Sequence, residues 1–148
     1  MEIKKINEDK KKYIDLLLLG DEQESMIDKY IDRGDMFVIE ENGKILAQCV
    51  VTKEGKDIYE IKNISVLPNM QKMGYGKMLI DYVFNYYEDL KTLYVGTGDS
   101  ILTVPFYKKC GFVESHRVKN FFIDNYDHSI FEGGKQLKDM IYFCKEKA

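Results

Sequence analysis

The sequence predicts an α+β domain built on a mixed sheet. Three observations carry that expectation. The hydrophobic period switches from helical to alternating and back again along the chain. Three strand-like segments follow one another, the first two separated by Asn42-Gly43. Glycines then stand where the third strand gives way to an amphipathic helix.

Taken in order, Glu2–Ile6 reads as a short strand, and about Glu8 to Leu19 as a helix with Gly20 as its stop signal. A second helix is expected over Asp21–Arg33, since Met26, Ile27, Tyr30 and Ile31 recur at helical spacing and Gly34 follows. Asp35–Glu40, Ile45–Thr52 and Ile58–Leu67 read as an antiparallel meander. Asn42-Gly43 is a strong hairpin signal, and Glu54-Gly55-Lys56-Asp57 a second turn. Pro68 closes the third strand. Leu79, Val83, Tyr86, Tyr87 and Leu90 mark the buried stripe of the next helix. Lys91–Thr97 is a strand, and the short helix after it ends at Cys110-Gly111. Pro105 must occupy that helix's first turn, because an interior proline would break it. Phe112–Lys119 and Lys138–Cys144 complete the order β-α-α-β-β-β-α-β-α-β-β.

Composition narrows the function classes. At 148 residues, with 45% hydrophobic and 32% charged residues, the chain fits one domain spanning 1–148 with a core of its own. The net charge of −3 lacks the basic stripe of a nucleic-acid binder, so no nucleic-acid partner is expected. Lys10-Lys11-Lys12 reads as a solvated helix face. Cys49, Cys110 and Cys144 are widely spaced and read as core residues, while His116 and His128 have no partner pattern; no metal site is expected. Leu16–Leu19 is far too short to span a bilayer, and a cytoplasmic address with no membrane partner is the expectation.

Gly74-Tyr75-Gly76 carries the chemistry. A helix N-terminus exposes unpaired N–H groups and partial positive charge, and glycine lets backbone approach a pyrophosphate without a Cβ in the way. A Walker loop does not fit the spacing, and a dinucleotide fingerprint fails because position 79 is Leu. Gln71-Lys72-Met73-Gly74-Tyr75-Gly76-Lys77, preceded by Ser65-Val66-Leu67-Pro68, resembles the strand, acyl-CoA loop and helix of the GCN5-related N-acetyltransferase (GNAT) family. Phe106-Tyr107-Lys108-Lys109-Cys110-Gly111-Phe112 is similar to that family's second block. The resemblance implies the GNAT fold, a mixed, mostly antiparallel twisted sheet of about six to seven strands flanked by about four helices.

It also implies acetyl-CoA as cosubstrate, an amine acceptor and no metal. The backbone of Ile64, Ser65 and Val66 would pair with the pantetheine amides, which need partners once buried. The N–H groups of Gln71, Lys72, Met73, Gly74, Tyr75 and Gly76 would meet the pyrophosphate, with Lys72 and Lys77 at the rim. Tyr107 matches the family tyrosine near the thioester sulfur, where a phenol can protonate a departing thiolate. Glu60 stands eleven residues before Gln71, the position of a general base in histone-acetylating relatives. Lys62 lies on the same strand face, and a structural ion pair between the two is the alternative. Ser100 stands where relatives often carry a cofactor-contacting Asn, and either it or Asp99 otherwise caps the short helix. The aromatic and acidic residues of Phe121–Lys138 border the acceptor site in relatives, or form a surface loop packing its aromatics on the core. The expected activity is acetyl transfer to a primary amine, small molecule or peptide, by direct attack in a ternary complex. A non-catalytic acyl-CoA sensor acting on a protein partner is the alternative. The sequence leaves the acceptor, and monomer against homodimer, open.

Overall fold

The computed structural model describes residues 1–148, which group into two compact units, Met1–Leu90 and Lys91–Ala148. In the first, β1 (Glu2–Ile6), β2 (Asp35–Glu41), β3 (Lys44–Gly55) and β4 (Ile58–Val66) lie in the order β1-β2-β3-β4, every pair antiparallel. The β2–β3 turn has φ of 52° at Asn42 and 78° at Gly43, the consecutive left-handed pair that a tight hairpin needs. The next turn comes later than expected. Strand β3 runs on through Gly55, and Asp57 takes the left-handed φ of 63°. Register jumps from Val50↔Asn63 to Val51↔Ile61, so Lys62 is the extra residue of a β-bulge.

The N-terminal helices are shorter than their sequence pattern. Asp9 sits at φ 53°, which no helix interior accepts. A 3-10 turn, Lys10–Tyr13, therefore precedes α1 (Ile14–Gly20). Gly20 is the last residue of α1 rather than the residue after it. The expected Asp21–Arg33 helix reduces to α2 (Glu24–Ile27) followed by turns. The Lys10 ammonium donates to Ile31 O at 3.0 Å and Gly34 O at 2.6 Å, giving partners to carbonyls that a helix would otherwise have to satisfy. Met26, Ile27, Tyr30 and Ile31 are still all buried, so the pattern encoded burial without requiring a continuous helix. Leu17, Ile27, Tyr30, Ile31, Met36, Val38 and Val50 form one core cluster.

Helix α3 (Tyr75–Tyr86) buries Gly76, Leu79, Ile80 and Val83. It stops before Tyr87, which the sequence placed on its stripe. The Tyr87 backbone is extended, its ring stacks on Tyr59 at 4.1 Å, and its hydroxyl donates to Asp35 at 2.6 Å. Leu90 is buried beyond the helix end, and Tyr86 is largely exposed.

In the second unit β5 (Thr92–Gly98), β6 (Val113–Val118) and β9 (Met140–Glu146) lie in the order β5-β9-β6, both pairs antiparallel. Helix α4 (Val104–Lys109) holds Pro105 in its first turn, where the missing N–H costs nothing. Gly111 follows at φ 93°. Between β6 and β9 the chain is more structured than the sequence suggested. It forms α5 (Phe121–Asn125) and a hairpin of β7 (Phe131–Glu132) and β8 (Lys135–Gln136). No helix is long and apolar enough to cross a membrane.

Candidate active site

Strand β4 alternates strictly. Tyr59, Ile61, Asn63 and Ser65 are buried, while Glu60, Lys62, Ile64 and Val66 are half-buried on the opposite face. Asn63 and Ser65 meet Gln48 of β3, whose Nε2 donates to Asn63 Oδ1 at 2.8 Å and to Ser65 Oγ at 3.0 Å. Asn63 Nδ2 donates to Leu17 O at 2.9 Å and to the Tyr30 hydroxyl at 3.1 Å, and Ser65 Oγ donates to Leu16 O at 2.6 Å. The Tyr30 hydroxyl donates onward to Asp21 at 3.0 Å. Burial, with the nearby Asp21 carboxylate, pushes the Tyr30 phenol up, so it stays protonated. This network adds donors from β4 to the Leu16 and Leu17 carbonyls of α1. Sequence reading missed Gln48 and Asn63. Their signal was polar residues at inward-facing positions of apolar strands. The Ser65 side chain is thus committed to the network, leaving only its backbone for a pantetheine arm.

On the other face Lys62 Nζ lies 3.0 Å from Glu60 Oε2 and 3.9 Å from Glu54 Oε1. The Glu60–Lys62 ion pair offered by the sequence is therefore present. Burial pushes the Glu54 carboxyl up, but the Thr52 hydroxyl, Arg33 and Lys62 outweigh it and hold the group below its ordinary value.

After β4 a 3-10 turn, Pro68–Met70, leads into the exposed loop Gln71–Gly74. Gln71 folds back, its Nε2 donating to Val66 O at 3.2 Å, and so ties the loop to the end of the strand. Lys72 and Gly74 take left-handed φ values of 66° and 91°. A Cβ added at Gly74 would meet nothing within 4 Å, so it would project into open space. The first helical bond is Met78 N to Gly74 O at 3.0 Å, so the N–H groups of Tyr75 and Gly76 precede the helix's own acceptors. Met73 is exposed, and Tyr75 reaches only Glu41, at 3.4 Å. Lys77 pairs with Asp81 at 2.7 Å, which offsets its rim charge. A twelve-residue helix with a glycine lead-in, open at the Gly74 Cβ position, has the local form of an anion-binding helix start.

In the second unit Ser100 is 2% exposed, and its hydroxyl accepts from Leu102 N at 3.0 Å. Its carbonyl accepts from Val104 N at 3.2 Å, so it shapes the approach to α4 while Thr103 is the N-cap. Tyr107, on α4, is 5% exposed, with Phe106, Phe112 and Phe143 around its ring at 5.1 to 6.1 Å. Cys49 and Cys110 are buried, as expected, whereas Cys144 is only half-buried. Burial alone pushes the Cys49 thiol up, away from the thiolate a nucleophile needs. His116 stacks on Tyr142 at 4.7 Å, and no group of three His, Cys, Asp or Glu residues is placed to hold a metal ion.

Comparison with known proteins agrees with this geometry. Residues 32–114 match the family model described as an acetyltransferase (GNAT) domain. An uncharacterized N-acetyltransferase of Bacillus subtilis (strain 168), YvbK, is 35% identical over 130 residues, covering 86% of this chain and 84% of that protein. A GNAT family acetyltransferase from Elizabethkingia anophelis, crystallised with acetyl-CoA bound, superposes with a TM-score of 0.92 at 33% identity, covering 99% of this chain and 97% of that one. A Bacillus subtilis acetyltransferase in complex with CoA gives 0.90 at 32% identity over 99% of both chains. With the loop, the helix and the tyrosine block all inside the matched fold, the chain belongs to the GNAT family of acetyltransferases, enzymes that take their acetyl group from acetyl-CoA.

Proposed function

We propose that residues 1–148 act as a single N-acetyltransferase domain that moves the acetyl group of acetyl-CoA onto a primary amine, of a small molecule or a peptide, by direct attack in a ternary complex. The observation that carries this reading is the loop before α3: Gly74 is left-handed with open space at its Cβ position, at the start of a helix whose first donors lack partners within the helix.

Bound acetyl-CoA supplies the thioester from which the acetyl group leaves. Gln71, Lys72, Met73, Gly74, Tyr75 and Gly76 hold its phosphates through backbone N–H groups, and the backbone of Ile64, Ser65 and Val66 pairs with its amides. Glu60, directly or through a water, takes the proton of the incoming ammonium, and the neighbouring Lys62 keeps that carboxylate oriented. Lys62 also opposes the role, because a nearby cation makes a carboxylate a weaker base. Tyr107 donates the proton that the departing thiolate needs. Ser100 shapes the loop ahead of α4, next to the cofactor. Much of the rate gain lies in holding two reactants in line.

Calorimetry with acetyl-CoA on the parent and on Gly74→Asp tests the loop. Saturable one-to-one binding, weakened at least roughly tenfold in the variant, supports it, since a carboxylate there faces the phosphates and strains a left-handed position. No binding to the folded parent removes the functional half of the reading. Tyr107→Phe should lower turnover roughly a hundredfold with acetyl-CoA affinity nearly intact. Unchanged turnover takes Tyr107 out of the mechanism.

A further inference from the structure

Lys62 is the extra residue of the β4 bulge, and bulges re-aim side chains beside active sites. Two carboxylates hold its ammonium, Glu60 Oε2 at 3.0 Å and Glu54 Oε1 at 3.9 Å. Glu54 is itself fixed, accepting from the Thr52 hydroxyl at 2.7 Å and from Arg33 Nη1 at 2.8 Å. The Lys62 side chain is 21% exposed, whereas those of Lys53, Lys77 and Lys135 are 54% to 56% exposed. Lys62 is thus a primary amine stationed beside a carboxylate, not a surface charge.

Its place along the strand matters as much. The bond from Gln71 Nε2 to Val66 O ties the Gln71–Gly74 loop to the C-terminal end of β4. A cofactor held at that loop, with its amides paired from Val66 back to Ile64, carries its thioester towards the Lys62 end of the strand. Lys62 stands two residues beyond Ile64, about 7 Å along the strand, within reach of a flexible four-carbon stem. An ammonium, a carboxylate to take its proton and the thioester end of the cofactor then lie on one short stretch of β4.

Resting on the amine-transfer reading above, we infer that Lys62 is itself an acceptor, and that the enzyme acetylates its own Lys62 when no external amine is bound. Glu60 takes a proton from the Lys62 ammonium and passes it to solvent, and the freed lone pair of Nζ attacks the acetyl carbonyl. The new C–N bond forms as the thioester C–S bond breaks. The second proton lost by Nζ balances the one that the departing thiolate gains. The product is an uncharged amide, so the cation that opposes proton uptake by Glu60 is gone. Self-acetylation therefore raises transfer to external amines.

The test incubates the purified protein with acetyl-CoA and no amine, and follows acetyl groups by peptide mass spectrometry. Lys62 should be acetylated at least roughly tenfold faster than the more exposed Lys53, Lys77 and Lys135. Excess CoA should slow Lys62 alone, because chemical acetylation of surface lysines needs no bound cofactor. Lys62→Gln, an uncharged amide at the same position, should release thiol with a panel of primary amines roughly two- to tenfold faster than the unacetylated parent. Labelling of Lys62 no faster than of the surface lysines, or indifferent to CoA, overturns the inference. A Lys62→Gln variant no faster than the parent removes the activation. Thiol release with amines while Lys62 stays unmodified sinks this inference and leaves the transfer reading standing. Labelling of Lys62 without release for any external amine keeps it as an acceptor, and absence of both removes the transfer reading as well.

Discussion

In the first unit the amides of Gln48 and Asn63 are sealed beneath α1, bonded to each other and to helix carbonyls. In the second, β6 is exposed along its whole length, and Ile101, Leu102 and Phe131 stand in solvent. A buried network with nearly every group paired specifies one arrangement of helix on strand, because any other leaves more polar groups without partners. Its one unsatisfied atom is Gln48 Oε1, buried and without a partner. Exposed apolar side chains specify nothing about the fold. The first unit thus holds the loop proposed to bind acetyl-CoA on rigid elements, and the second leaves apolar surface in solvent.

Substitutions can break that contrast. The largest effect is expected from Asn63→Ala, which takes one of two partners from each of Leu17 O and Gln48 Nε2 and leaves a void beneath α1. It should cost about 3 kcal/mol by denaturant unfolding. Gly20→Ala comes next. Its Cβ would overlap Asn63 Oδ1 and sit 3.0 Å from Ile64 O, and the network prevents the Asn63 amide from giving way. Alanine's helix preference offsets only about 1 kcal/mol of the clash, so a net loss of about 2 kcal/mol, or roughly 4–8 °C in Tm, is expected. Gly98→Ala in the second unit meets Leu137 Cδ1 at 2.5 Å, the far end of a side chain that can turn. It should cost only about 1 kcal/mol. Equal losses at Gly20 and Gly98 would dissolve the contrast between the two units.

The smallest effect is in acid. Glu54 is held below its ordinary value as described above. Asp139 is held low by the Asn120 N–H and by Arg117. A carboxyl depressed in the folded state contributes stability that is fully present above its unfolded pKa, about 4. That contribution fades as pH falls through the folded value. Carboxyl titration by NMR should place both groups below their ordinary values. Arg33→Ala should move Glu54 upward at a stability cost under about 1 kcal/mol, because the pair is screened. An unmoved Glu54 would assign its shift to Thr52 and Lys62.

Some features were legible because their chemistry is local. Asn42-Gly43 predicts its hairpin from two left-handed residues, and Pro105 its place from a missing N–H. Others were not. Tyr87 fits the stripe of α3 by spacing, yet it leaves the helix for Asp35, far away in the chain. Of the proposed site, Gln71 to Gly76 and Tyr107 were picked out by motif, and strand alternation put Lys62 within reach of Glu60, where the ion pair forms. Gln48 and Asn63 escaped, because a polar residue in a strand acquires its meaning only from what covers it.

The sequence by itself determined the element types, the turn chemistry and the glycine-led start of α3, since each depends on backbone preferences acting over a few residues. Tertiary structure alone decided where α1 and α2 end, which polar groups β4 hides, and that residues 119–139 fold around a small core of their own. Each of those outcomes depends on a hydrogen bond or a packing contact between distant segments, such as Lys10 with Gly34 or Asn63 with Leu17, which no local pattern encodes.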